Sequence, residues 1–154
     1  MAKISTSELG LRELLEFLRG MVAAVIVTMP PFTYRELEAW KQGMDLVEEA
    51  YKATRSFPKS ELYGLTSQLH RAAISIPANL AEGHSRRTTK AYLNHVSVAI
   101  GSQAELETHI ELSQRLGYLK PAESAQLAAT ARSVGRLLYG LHRALARKLL
   151  EADL

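Results

Sequence analysis

Residues 57–83 read FPKSELYGLTSQLHRAAISIPANLAEG, and this stretch decides the fold. Its apolar residues recur every three or four positions, as on one face of a helix: Leu65, Leu69, Ala72, Ile76 and Leu80. The spacing predicts a helix from about residue 62 to residue 82, and Gly83 is expected to end it in a left-handed conformation. Pro77 lies inside this helix, where it cannot donate a backbone hydrogen bond.

Three further helices are expected, in residues 33–57, in residues 88–116 and from residue 121 onward. Residues that favour helix ends bound them: Thr33 with Glu36 as a capping box, Pro58, Gly117 and Pro121. The helices are long and the connections between them are short. The expected fold is therefore all-α, an antiparallel up-down-up-down four-helix bundle over residues 33–152.

Residues 1–32 form an N-terminal extension to this bundle. Four leucines in it have helical spacing, but Pro30 and Pro31 stop the pattern. We hypothesise that Met29 is the natural start and that residues 1–28 are a miscalled leader. The alternative is a real helix that packs on the domain or on a partner. The longest apolar run, residues 21–29, is shorter than the roughly 20 residues that span a bilayer, so no membrane association is expected.

The composition is that of one ordinary soluble domain, with 154 residues, 47% hydrophobic and 23% charged. The absence of cysteine excludes disulfides, thiolate metal sites and cysteine nucleophiles, and it fits a cytoplasmic location. The net charge is only +3, so the distribution of charge is more informative than its total.

The fourth helix carries the clearest surface signal, an arginine stripe about 60° wide opposite its leucines: Arg132, Arg136, Arg143 and Arg147. Guanidinium groups suit phosphates because each offers a planar fork of donors, so the arginine stripe is a candidate for binding the backbone of RNA or DNA. Arg86 and Arg87, expected at the start of the third helix, would extend it. The alternative is a solvated face, or ion pairs with acids of the first helix: Glu36, Glu38, Asp45, Glu48 and Glu49.

A second polar set, here called the polar seam, lies beside the apolar faces of the second and third helices: Gln68, Ser75, Asn79, Glu82, Ser102 and Glu105. Polar groups between helices fix register, and at a subunit interface they fix the geometry of the partner. We interpret the polar seam in this way. Two alternatives stay open, a binding site and a general acid/base site in which Glu82 and Glu105 have separated pKa values.

Sequence motifs for other chemistry are absent. The chain has no Glu-x-x-His pair of the di-iron bundles, no phosphate-binding glycine loop and no nucleophile-elbow motif. We therefore expect no enzymatic activity, no metal and no cofactor. Aromatic residues are few and mostly on inward faces, so base stacking is not expected either.

A wider set of residues forms a family signature: Tyr51, Thr54, Phe57, Pro58, Glu61, Tyr63, Gly64, Leu65, Gln68, Arg71, Ala72, Ser75, Ile76, Asn79, Ala81, Glu82, Gly83, Ser102, Glu105, Leu116, Gly117 and Tyr118. On these residues, the chain from about residue 34 to residue 150 resembles the bacterial four-helix-bundle protein family. Its members are also called intervening-sequence proteins, because some are encoded within insertions in large-subunit ribosomal RNA genes.

The resemblance implies a small antiparallel bundle that assembles as a homopentameric ring, with no established enzymatic activity. A related branch serves diversity-generating retroelements as an accessory protein that works with a reverse transcriptase and RNA. This chain is less basic than that branch, and its extension departs from the family pattern. Two interpretations result: a homo-oligomer that binds RNA or DNA through the helix-4 face, and a protein-interaction scaffold that binds no nucleic acid.

Overall fold

The computed structural model describes residue 10 and residues 14–16, 33–86 and 88–152. The chain divides into two units, residues 1–32 and residues 33–154. The few described residues of the first unit are helical and exposed. The hypothesis that Met29 is the natural start falls on residues outside the described set. Within the described part of the chain, no helix is both long and apolar enough to cross a membrane.

Four helices make up the second unit, and we number them in chain order: α1 (Glu38–Ala53), α2 (Leu65–Ser85), α3 (Thr89–Arg115) and α4 (Pro121–Ala152). Short 3-10 turns precede α1 and connect it to α2. Each helix packs against two neighbours, so the pairs α1–α2, α2–α3, α3–α4 and α4–α1 enclose one core. The described residues contain no strand. The prediction of an all-α four-helix bundle is confirmed.

The first helix begins later than expected. Thr33 and Glu36 do pair, since the backbone N–H of Thr33 donates to the Glu36 carboxylate at 2.7 Å. They cap only a 3-10 turn, however, because Leu37 follows in an extended conformation with ψ of 124°. That conformation breaks the helical hydrogen-bond ladder, so α1 starts at Glu38.

Both ends of α2 also differ from the prediction. The helix begins at Leu65, where the Glu61 carboxylate accepts a hydrogen bond from the backbone N–H of Leu65 at 3.1 Å. It continues through Gly83 to Ser85, so the expectation that Gly83 is a left-handed stop was wrong. The left-handed glycine of the described chain is Gly117, with φ of +76°, and it ends α3 as predicted.

Gly83 is required by close packing. A Cβ atom at this position would lie 2.6 Å from the Cβ of His95 and 2.7 Å from Cδ2 of Tyr92, far inside normal contact distance. Both residues belong to α3, so the glycine lets α2 and α3 approach each other. The same packing partly buries the Tyr92 ring, and this burial raises the pKa of Tyr92 to about 12.

The inward face of α4 is buried along only part of its length. The predicted core leucines are buried as far as Leu138, whereas Leu141, Leu145 and Leu149 are half-buried. A hydrogen bond of 3.1 Å from Ser133 Oγ to Gln42 Oε1 sets the register between α4 and α1. Since α1 begins about one turn before Gln42 and α4 continues for about five turns after Ser133, the last turns of α4 extend past α1.

Candidate nucleic-acid interface

The arginine stripe lies on the outer face of α4, and all four of its side chains are exposed. The residue spacing of four, seven and four puts the Cα atoms of successive arginines about 6, 10 and 6 Å apart along the helix axis. The stripe is therefore about 22 Å long, and it spans from the middle of α4 into the turns that extend past α1.

The arginines are largely without acidic partners. Arg147 lies 3.9 Å from the Glu151 carboxylate, and both side chains are at least two-thirds exposed. Among the described residues, no carboxylate lies within 4.0 Å of Arg132, Arg136 or Arg143. The predicted alternative, ion pairs with the acids of α1, is thus not formed in this part of the chain.

The two ends of the arginine stripe differ in their surroundings. Arg132 lines a surface cavity of about 290 Å³ between α3 and α4, together with Glu107 and Glu111 of α3. Arg143 lies about three turns further along α4, beyond the level at which α1 begins. Attraction for an anion is therefore expected to be weaker at Arg132 than at Arg143.

An aromatic side chain accompanies the arginine stripe, which the sequence analysis missed. Tyr139 is 52% exposed and lies between Arg136 and Arg143 in sequence. Tyr63 and Tyr51 are also exposed, by 91% and 44%. The expectation that aromatic residues mostly face inward was wrong for these three tyrosines. The sequence could have indicated the position of Tyr139, because it lies three residues after Arg136 and four before Arg143, on nearly the same face of the helix.

Arg86 occupies a different position from the one expected. It is the C-cap residue of α2, not part of the start of α3, and its guanidinium pairs with the Glu82 carboxylate one turn earlier. A cation at a helix C-terminus is favoured by the helix dipole. The position of Arg86 is therefore explained without an anionic ligand from outside the chain. Arg87 lies outside the described residues.

Four members of the polar seam form one connected polar network across α2 and α3. Ser75 Oγ and Ser102 Oγ are 2.7 Å apart. Asn79 Nδ2 donates to the Ser75 carbonyl at 2.8 Å, and Asn79 Oδ1 lies 3.2 Å from Nδ1 of His95. The other ring nitrogen of His95 is 3.8 Å from the Glu82 carboxylate. The network therefore runs by hydrogen bonds from Ser102 through Ser75 and Asn79 to His95, and it reaches Glu82 by a longer contact beyond hydrogen-bond distance.

The remaining two residues of the polar seam lie outside this network. The Glu105 carboxylate is 3.4 Å from Nε2 of His109, and Gln68 is exposed. Glu82 and Glu105 are both about half exposed, so water reaches both carboxylates and neither lies in an enclosed site. The geometry favours the structural interpretation of the polar seam.

His95 is the member of this network that sequence reasoning missed. A seven-residue repeat was available to find it, since residues 68, 75 and 82 of α2 match residues 109, 102 and 95 of α3 in reverse order. Antiparallel helices with that register place Ser75 opposite Ser102 and Glu82 opposite His95, as observed. Within the described residues, no group of three or more histidines and carboxylates is arranged to hold a metal ion.

Comparison with known proteins gives the family. The model of the 23S rRNA-intervening sequence protein family matches residues 35–140, which is more than half of the chain. Among solved structures, the bundle is similar to a protein of unknown function from the S23 ribosomal protein family of Bacteroides thetaiotaomicron. The two share 16% sequence identity and a TM-score of 0.63, over 68% of this chain and 95% of that one. No curated protein matches the chain. On the family match, this chain belongs to the 23S rRNA-intervening sequence protein family.

Proposed function

We propose that this protein is a non-enzymatic, cytoplasmic homo-oligomer, pentameric as the family resemblance implies, that binds RNA or DNA through the outer face of α4. The observation that carries the proposal is the arginine stripe itself. Three of its four exposed guanidinium groups have no carboxylate within 4.0 Å among the described residues, so their donors are free for phosphate oxygens.

A row of guanidinium groups on a straight helix suits a phosphate backbone better than base edges. Phosphate contacts position a nucleic acid and supply affinity for any sequence, whereas sequence is read by contacts inside a groove. The proposed binding is therefore independent of sequence. It should weaken steeply as salt rises, because each neutralised phosphate releases condensed counterions.

A second candidate function rests on a different surface. A groove of about 270 Å³ between α1 and α2 has an apolar lining: Tyr34, Trp40, Met44, Ile74, Pro77, Ala78 and Ala81. Met44 and Ile74 are 40% and 43% exposed and both line this groove, so it presents apolar side chains to solvent. This groove favours the alternative of a scaffold that engages protein, and it is equally suited to contacts between copies of the chain.

The test is a salt series of RNA and duplex DNA binding, with molar mass from light scattering on the same sample. The stripe variant carries four substitutions: Arg132→Gln, Arg136→Gln, Arg143→Gln and Arg147→Gln. The matched control removes four exposed charges elsewhere on the bundle: Lys52→Gln, Arg55→Gln, Arg71→Gln and Arg115→Gln. Both variants lose four positive charges, so a difference in their binding depends on where those charges lie on the bundle.

We expect the stripe variant to keep its mass and to lose both affinity and salt dependence. Each lost phosphate contact lowers the log–log slope by about 0.9 on duplex DNA and about 0.7 on single strands. The control should change the slope much less. Equal slopes for the stripe variant and the unmodified protein would refute phosphate binding by the arginine stripe of α4. An oligomer that binds no nucleic acid at low salt would leave the scaffold function.

A further inference from the structure

Tyr139 gives the arginine stripe a feature that phosphate binding alone does not use. On a helix with 100° per residue, its side chain projects within about 20° of the edge of the stripe. It lies about 4.5 Å along the axis from Arg136 and about 6 Å from Arg143. Tyr139, whose ring is 52% exposed, thus lies along the helix axis between two arginines, of which neither has an acidic partner among the described residues.

No aromatic partner and no hydrogen bond explains the position of the Tyr139 ring. Four of the other tyrosines have aromatic neighbours: Tyr34 with Trp40, Tyr51 with His70, Tyr92 with His84 and Tyr118 with Phe57. In the described part of the chain, Tyr139 makes no ring contact and no side-chain hydrogen bond. The surface beside the Tyr139 ring is open at its neighbour Gly140, where an added Cβ would meet nothing within 4 Å.

We infer that the α4 face takes single-stranded nucleic acid, with one unpaired base stacked on the Tyr139 ring and the flanking phosphates held by Arg136 and Arg143. The inference rests on the proposed function and narrows its ligand class. Proteins that bind single strands without sequence preference combine a cationic track with exposed rings on which bases stack. In a duplex the base faces are covered by neighbouring base pairs, so a surface tyrosine has no face to stack on.

The decisive experiment compares Tyr139→Ala with the unmodified protein on two probes of equal length, an unstructured oligouridine and a duplex DNA, by fluorescence anisotropy at one fixed low salt concentration. Losing one stacked base should weaken single-strand binding about 5- to 150-fold. Duplex binding should change less than about 2-fold. Tyr139→Phe keeps the ring and should bind the oligouridine like the unmodified protein.

Tyr63→Ala is the matched control. Tyr63 is 91% exposed and lies in the connection between α1 and α2, away from the arginine stripe, so its loss should leave both affinities unchanged. Circular dichroism should give the same melting curve for all three variants, because neither tyrosine is in the core.

The outcomes separate the two proposals. If the arginine variant loses binding while Tyr139→Ala binds the oligouridine normally, the stacking inference is overturned and the phosphate interface stands. An equal loss on oligouridine and duplex also overturns it, because stacking on an unpaired base predicts selectivity. If the unmodified protein binds neither probe, the proposed function fails and the stacking inference fails with it.

Discussion

Replacing Gly83 by alanine tests the close approach of α2 and α3 that the structure shows. The new methyl group would be placed 2.6 Å from the Cβ of His95 and 2.7 Å from Cδ2 of Tyr92. Carbon atoms normally approach each other to about 3.5–4.0 Å, so both contacts are about 1 Å too short. The His95 Cβ is attached directly to the backbone of α3, so it cannot move aside by rotation. The helices themselves would have to separate.

The size of the effect is a difference between two opposing contributions. Overpacking a close-packed site costs about 1–3 kcal/mol, and a contact that involves a Cβ belongs in the upper half of that range. Alanine is also a better helix former than glycine, which contributes about 1 kcal/mol in the other direction. We therefore expect Gly83→Ala to lower the free energy of unfolding by about 1–2 kcal/mol.

Gly101→Ala provides a control with the opposite sign. Gly101 is exposed in the middle of α3, and a Cβ there would meet nothing within 4 Å, so only the gain in helix propensity of up to about 1 kcal/mol applies. Urea unfolding of both variants at one protein concentration, which keeps any contribution from assembly constant, gives the comparison. If Gly83→Ala is as stable as Gly101→Ala, the packing explanation of Gly83 is refuted.

Two further predictions concern side chains between helices. Burial lowers the pKa of His70 from 6.5. The neutral ring is therefore favoured in the folded state, and the stability it contributes is complete above pH 6.5 and lost as pH falls through the lowered folded pKa. Urea unfolding between pH 5 and pH 8 should show this loss, and His70→Gln should reduce it; an unreduced loss would assign it to other histidines. Asn79→Leu removes the hydrogen bonds to Ser75 and His95, and we expect it to cost about 1–2 kcal/mol in the same assay. Asn94→Leu, at an exposed position of α3, should cost less than about 0.5 kcal/mol, and equal costs would contradict a stabilising role for the network.

The bundle could be predicted because its signals are local. Apolar spacing, proline and end-capping residues are read within one turn of a helix, and they gave four helices in the right order. The prediction for Gly83 was wrong because the role of this residue depends on Tyr92 and His95, which lie in the next helix. A glycine that ends a helix and a glycine that admits a neighbouring helix look the same in a sequence until the contact is known.

The candidate interface was predicted less completely, for a related reason. The arginine stripe follows from the helical period alone, and all four side chains are exposed as expected. Arg86 was assigned to the wrong helix because its pairing with Glu82 depends on where α2 ends. Tyr139 was not predicted as part of the interface because all aromatic residues were expected to behave alike. Its proposed role depends on the two arginines beside it in α4.

The polar seam and the apolar core act on the bundle in different ways. Leucine, isoleucine and alanine side chains of α2 and α3 can pack in more than one register, because apolar contact has little directionality. Hydrogen bonds have directionality, and a shift of α3 by one turn would break the Ser75–Ser102 and Glu82–His95 contacts together. We therefore expect the polar seam to select the register, while the core supplies most of the stability. The polar seam lies on α2 and α3 and the arginine stripe on α4, so under our proposal a substitution in the arginine stripe should weaken nucleic-acid binding without changing mass or stability. A substitution in the polar seam should instead change stability or assembly first, which makes the two roles separable by experiment.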